Sequence, residues 1–309
     1  MVSERPRAGI LLLQRHEWSD LRKHARDVEA AGFDKLFVAD HFYSPFGPGP
    51  WLECWTLLAA LARETRRIRL GPLVTNVIYR HPAAIAQHAM TVDQISEGRL
   101  DLGIGSGGSP LCHTMTGTPM WPLRERVDRF GETVEIIDRM LRQERTTHQG
   151  KYYQLDEAQL SPRPVQQPRP PLLIAADGPR ALRIVAKHGD AWVVVEIEFE
   201  PGVVRSLDET GALNEQLDDL LREEGRDPAA FERWALCGFA SHTAFSSLGE
   251  LQDLIGGYRE RGIGNFVFNY LPGLPPEITI PSRSRPSYFQ YLNSPDRLYE
   301  VAEALKLMA

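Results

Sequence analysis

LGPLVTNVIYRHPAAIAQHAMTVDQISEGRLDLGIGSG, from Leu70 to Gly107, is the stretch that decides the fold. It begins within an apolar, β-rich run (residues 68–77) and passes through an amphipathic segment (81–96). It closes on a second apolar run ending in glycines (100–107). That order predicts a strand, a crossover helix and a second, parallel strand. In parallel α/β proteins ligands gather at the carboxyl ends of the strands, so the unit suggests both an architecture and a place to look for chemistry.

The same rhythm runs outward in both directions. Residues 8–13, 35–39, 68–77, 99–105, 172–176, 191–195, 234–240 and 265–271 read as strands. Residues 21–31, 51–63, 81–96, 123–141, 179–188, 213–224, 248–262 and 294–308 read as helices. Short continuous apolar strands suit a sheet buried on both faces. Eight βα units in one chain of this length predict an α/β fold, a (β/α)8 TIM barrel forming a single domain over residues 1–309, in preference to a doubly wound open sheet. The alternation breaks once, between the fourth helix and the fifth strand. There 150–160 reads as short strands or a hairpin and SPRPVQQPRPP (161–171) as an extended, proline-dense connector. Because alternation resumes at once, this is expected to be an insertion within the domain and not a linker.

Bulk properties narrow the class. With 309 residues, 42% hydrophobic and 25% charged, the chain has an ordinary globular composition. A net charge of −6 gives no electrostatic case for nucleic acid or an anionic membrane. No apolar run is long enough to span a bilayer, and the opening MVSERPRAGILLLQ reads as a buried strand, not a signal peptide. Cys54, Cys112 and Cys237 are far apart and read as reduced thiols, consistent with a cytoplasmic protein. HExxH, a Walker lysine loop and a GxSxG elbow are missing, and His41, His81 and His113 lack metal-ligand spacing, so no metal is expected.

Four strand ends carry the candidate chemistry. Asp40-His41 follows the second strand, where the pair can move a proton or orient a bound ring, or else cap a helix and sit satisfied. Aromatics Phe42, Tyr43 and Phe46 follow, with Gly47 to Pro50, as a wall for a flat ligand or as local packing. Thr75 and Asn76 end the third strand and can hydrogen-bond a polar heterocycle without charge. Gly103 to Gly108 spells GxGxxG, but a dinucleotide turn opens straight into a helix in the first βα unit. Here three units precede it and a loop-like SPLCHTMTGTPM follows, so the glycines are read as permitting close backbone approach to a ligand. Asp177-Gly178-Pro179-Arg180 puts Gly178 at or near a helix N-cap, where free amides and the helix dipole favour an anion and Arg180 can add a charge-assisted contact. Glu196 and Glu198 after the sixth strand are weaker candidates for substrate contact.

Taken together, GFDKLFVADHF, VTNVIYRHP, the glycine turn and AADGPR resemble the luciferase-like monooxygenase superfamily, and within it the coenzyme F420-dependent oxidoreductase branch. The resemblance implies a (β/α)8 barrel, a homodimer and hydride transfer between the deazaflavin coenzyme and a small organic substrate. It also implies roles. Asp40 and His41 lie beside the ring as catalytic residues, with His41 the proton donor or acceptor. Pro72, Leu73, Thr75 and Asn76 belong to a bulge behind the ring that carries a non-prolyl cis peptide bond. Ser106, Gly107 and Gly108 line the cofactor, and Gly178, Pro179 and Arg180 receive its phosphate. The alternatives are an FMN-dependent monooxygenase using O2 and reduced flavin from a partner reductase, and a non-catalytic flavin-binding relative. The chain departs from the sugar-phosphate dehydrogenases of the branch, which carry an acidic residue where Gly108 stands and a lysine without counterpart beside Glu196. A sugar phosphate is therefore not the expected substrate, and the loop 109–121 has no reading.

Overall fold

The computed structural model describes residues 5–44, 48–195, 198–200, 203–238, 247–274, 277–281 and 286–308. Its central sheet is built from β1 (Arg7–Leu12), β2 (Lys35–Val38), β3 (Arg69–Pro72, resuming as Thr75–Asn76), β4 (Leu102–Gly105), β5 (Leu172–Ala175), β6 (Ala191–Val195), β7 (Glu232–Cys237) and β8 (Asn265–Tyr270). All pair in parallel, in the order first half of β3, β2, β1, β8, β7, β6, β5, β4, second half of β3. The two ends of this ladder are the two halves of one strand, and a further bridge joins Leu70 to Leu100. The sheet therefore closes into an eight-stranded barrel.

Among the described residues, eight helices cross between successive strands or follow the last: α1 (Trp18–Ala31), α2 (Cys54–Glu64), α3 (Pro82–Ile95), α5 (Leu123–Arg142), α6 (Pro179–His188), α7 (Leu207–Glu223), α8 (Leu248–Glu260) and α9 (Pro295–Lys306). The ninth, α4 (Pro110–Thr116), corrects the loop-like reading of 109–121. Ser109-Pro110 starts it and Gly117, left-handed at φ 66°, ends it. The glycine turn thus does open into a helix, and what excludes a dinucleotide fold is the closed barrel. The start of α7 is also earlier than hydrophobic spacing suggested, because Ser206 and Glu209 form a reciprocal capping box. The predicted hairpin pairs Thr146–Gln149 with Gln154–Ala158, so Gly150 lies in its turn.

Strand alternation sorts side chains into two cores. Leu11, Leu13, Phe37, Ala39, Leu173, Ala191, Val193, Trp234, Leu236 and Val267 point into the barrel. Their neighbours Ile10, Leu12, Leu36, Val38, Leu172, Ile174, Trp192, Val194, Ala235, Cys237, Phe266 and Phe268 face the helices. The larger core therefore lies in the shell between strands and helices, as barrel geometry requires.

Charge fills the amino-terminal end of the barrel interior. Lys35 Nζ lies 2.7 Å from Asp101 Oδ2, with both side chains buried, and 4.5 Å from the centroid of Trp234. Arg69 closes on the other oxygen, Nη2 to Oδ1 at 2.6 Å. Burial pushes the Asp101 carboxyl up, but Lys35 and Arg69 outweigh it and hold it below the usual carboxylate range. Removing one partner of such a buried network strands the other charge. Asp101→Ala is expected to cost about 3–5 kcal/mol in urea unfolding, and a loss under about 1 kcal/mol would show that this cluster does not hold the barrel floor.

Candidate functional site

The carboxyl ends of β2 to β5 converge on one mouth. The first wall is built around Asp40, which is almost fully buried. Its Oδ2 accepts from Thr75 Oγ1 (3.1 Å), the Asn76 amide (2.9 Å) and Arg80 Nη1 (2.6 Å), and its Oδ1 accepts from Arg80 Nη2 (3.2 Å). Thr75 Oγ1 in turn accepts from Trp55 Nε1 at 3.1 Å, and Arg80 reaches Glu53 at 2.5 Å. Asp40 thereby fastens the end of β2 to the resumed half of β3. The sequence placed Asp40 at this mouth but gave no sign of its partner Arg80.

Between the halves of β3 the chain bulges. The Leu73–Val74 peptide bond is cis. Pro72 and Leu73 are buried; Leu73 donates its amide to the Val38 carbonyl (2.8 Å) and packs into the barrel interior. A methyl group on Gly105 would collide with the Val74 side chain, so the glycine lets strand and bulge touch. Gly107 adopts φ 70°, and a methyl there would stand 2.6 Å from Asn76 Oδ1. Its carbonyl lies 3.2 Å from Nε2 of buried His113, whose Nδ1 is 2.8 Å from the Pro119 carbonyl. α4 thus holds the glycine turn.

His41 is mostly enclosed, and burial lowers its pKa against the opposing pull of Asp40, leaving the ring neutral at neutral pH. Its Nδ1 is 3.7 Å from Cys112 Sγ on α4, and its ring lies edge-on to Tyr43 and Trp51. Burial also raises the pKa of the Tyr79 hydroxyl, with Cys112 adding to the effect. Cys112 carried no functional signal in the sequence beyond being one of three dispersed cysteines.

A cavity of about 910 Å³ opens against this wall, lined by Ser106, Leu123, Arg124, Val127 and the segment from Ala175 to Ala181. It brings together Ser106, Gly178, Pro179 and Arg180. Asp40, His41, Pro72, Leu73, Thr75 and Asn76 do not line it; they form the adjoining wall, joined to it through Gly107. Gly178 is the N-cap of α6 with no side-chain cap, and Pro179 occupies the first turn. Nothing lies within 4 Å of where a Gly178 side chain would begin, so the space beside the helix start is open. Arg180, half exposed on the cavity, is ion-paired with Asp128. Arg205 is likewise paired with Asp177 at 2.8 Å. Glu196, Phe46, Gly47 and the Glu198 side chain lie outside the described residues.

The arrangement suits a flat, largely uncharged ring with an anionic tail. It offers an apolar cavity of ligand size, hydrogen-bonding backbone at a bulge, a neutral histidine and an uncapped helix N-terminus. Residues 3–244 match the family model of the luciferase-like monooxygenases. The chain belongs to this family. Its curated relatives include an F420-dependent glucose-6-phosphate dehydrogenase of Intrasporangium calvum, 30% identical over 230 residues, covering 68% of this chain and 67% of the relative. An F420-dependent hydroxymycolic acid dehydrogenase of Mycobacterium tuberculosis is 29% identical, covering 74% of this chain and 61% of the relative. The chain spans about half to two thirds of the length of these curated relatives. Among solved structures, an F420-dependent secondary alcohol dehydrogenase holding an F420–acetone adduct superposes with TM-score 0.74 at 20% identity, over 86% of this chain and 93% of that one. A Streptomyces bottropensis monooxygenase gives 0.70 at 19%, over 97% of each chain. These superpositions show that the family barrel is the fold found here.

The Asp40–Arg80 pair joins a buried carboxylate to a mostly covered guanidinium, with side chains 3% and 13% exposed. Arg80→Ala is expected to destabilise the protein by about 3–5 kcal/mol, and adding Asp40→Asn should restore part of that loss. Additive costs in a double-mutant cycle would deny the pair its fastening role.

Proposed function

We propose that this protein is a coenzyme F420-dependent oxidoreductase that moves a hydride between the deazaflavin and a small organic substrate. The observation that carries the reading is the mouth cavity, lined by Ser106 and the uncapped start of α6, with the bulged end of β3 in the adjoining wall. F420-dependent dehydrogenases among its relatives support it.

On this reading the bulge from Pro72 to Asn76 backs the ring, Ser106 to Gly108 flank it, and the start of α6 takes the phosphate. When bound, the deazaflavin supplies the carbon that accepts or gives hydride. The protein contributes orientation and a proton site. Asp40, saturated by Arg80, Thr75 and Asn76, positions the bulge and does not itself exchange protons. His41, neutral through burial, accepts the proton of a substrate hydroxyl during oxidation and returns it during reduction. The protein would act as a cytoplasmic homodimer, its substrate class open.

Fluorescence titration is expected to give saturable deazaflavin binding tighter than FMN binding. Tight FMN binding without deazaflavin binding would favour the monooxygenase alternative. His41→Gln should lower turnover by about 10²–10⁴-fold with cofactor affinity little changed. In the oxidative direction the wild-type rate should fall only as pH drops below the ordinary histidine value of about 6.5, because the base works unprotonated and its pKa is lowered. A variant that keeps both the rate and that acid limb would remove His41 from the chemistry.

A further inference from the structure

We infer that Arg126 forms a second anion subsite at the mouth, separate from the start of α6, which takes an oxyanion of the bound cofactor or substrate. The inference rests on the functional reading above only for which molecule carries that oxyanion.

Charge accounting around the cavity comes first. Arg180 is consumed by Asp128, Arg205 by Asp177, and Arg129 by Glu125 at 2.8 Å. Arg129 is further held between the rings of Trp121 and Tyr152. The acids nearest the mouth are therefore already matched. Among the described residues, Arg124 and Arg126 in the first turns of α5 have no ion pair and no side-chain hydrogen bond, which leaves two cations uncompensated.

The two differ in their surroundings. Arg124 is exposed on the cavity rim, where water satisfies it. Arg126 is partly buried, and its Nε is shut off from solvent without a partner. A desolvated donor left unmatched is uncommon, because it forfeits its bond to water and gains nothing in exchange. The guanidinium is also aimed at the mouth. Its Nη1 lies 3.6 Å from where a Gly108 side chain would begin, and among the described residues beyond the glycine's chain neighbours nothing else lies within 4 Å of that point. The glycine leaves the space open for a ligand atom.

Helix electrostatics add to this. α5 begins at Pro122 with no side-chain cap, and its first-turn residues Leu123 and Arg124 line the same cavity as the start of α6. Two positive helix ends thus converge there. An oxyanion beside Gly108 would receive the charge-assisted donors of Arg126 in the field of both.

The test compares wild type with Arg126→Gln and Arg126→Lys, each checked for unchanged melting temperature. Inorganic phosphate is titrated calorimetrically into cofactor-free protein. F420 and its phosphate-free deazariboflavin are titrated by fluorescence, and benzoate is titrated into the F420-loaded protein. Arg126→Gln should weaken phosphate binding by about tenfold or more, the loss expected for one charged hydrogen bond, with partial recovery in Arg126→Lys. Weaker F420 binding with unchanged deazariboflavin binding would assign the subsite to the anionic tail of the cofactor. Unchanged binding of both with weaker benzoate binding would assign it to an acidic substrate. Arg126→Gln that binds phosphate, F420 and benzoate as wild type does overturns the inference. Loss of phosphate binding in a protein that takes up no deazaflavin at all would sink the F420 reading and leave the subsite standing.

Discussion

The rest of the molecule depends on a division of labour within the third strand. Its first half, Arg69–Pro72, hydrogen-bonds to β2, and its second half, Thr75–Asn76, to β4. A straight strand would serve both neighbours along its whole length. This one bonds β2 along its first half, bridges Leu100 at Leu70, and after the Leu73–Val74 bulge pairs with β4, so that barrel closure runs along it on both sides of the bulge. The step turns backbone toward the mouth, and the elements around it answer that geometry: Gly105 gives room, Asp40 and Arg80 tie down the resumed half, and Trp55 seals it from the helix side.

The polar groups are arranged asymmetrically about that closure. At the floor, Lys35, Asp101 and Arg69 satisfy one another inside the barrel, where the ion pairs carry stability. At the mouth, Asp40 is equally well satisfied, but Gly178, Arg126 and the Tyr79 hydroxyl are not. Two further cavities, of about 650 and 530 Å³, are lined largely by residues already paired, among them Lys35, Asp101 and Arg69.

The barrel was legible because its signals are local. Continuous apolar runs such as Ala191–Val195 and the Pro179 helix start report their own conformation whatever surrounds them. The four strand ends were legible for the same reason. What escaped was relational. Arg80 lies 40 residues from Asp40, a separation with no periodic signature, so the ion pair that holds the carboxylate could not be read from the sequence. Arg180 looked free until folding brought Asp128 beside it. Seven residues of α4 are too few to show an amphipathic stripe, and two of them, Cys112 and His113, gain meaning only from contacts with His41 and Gly107.

That short helix has a consequence for how such a protein can diversify. α4 touches the histidine wall through one residue and the glycine turn through the next, so it works as a common hinge plate for two faces of the mouth. A change in 110–116 that admits a larger guest also alters the environment of the imidazole, and selectivity and reactivity are inherited together. Drift toward new substrates should therefore be easier along the first turns of α5, whose side chains reach the cavity without bearing on His41. In this family member the freedom to change clientele lies on one side of the mouth and the constraint on the other.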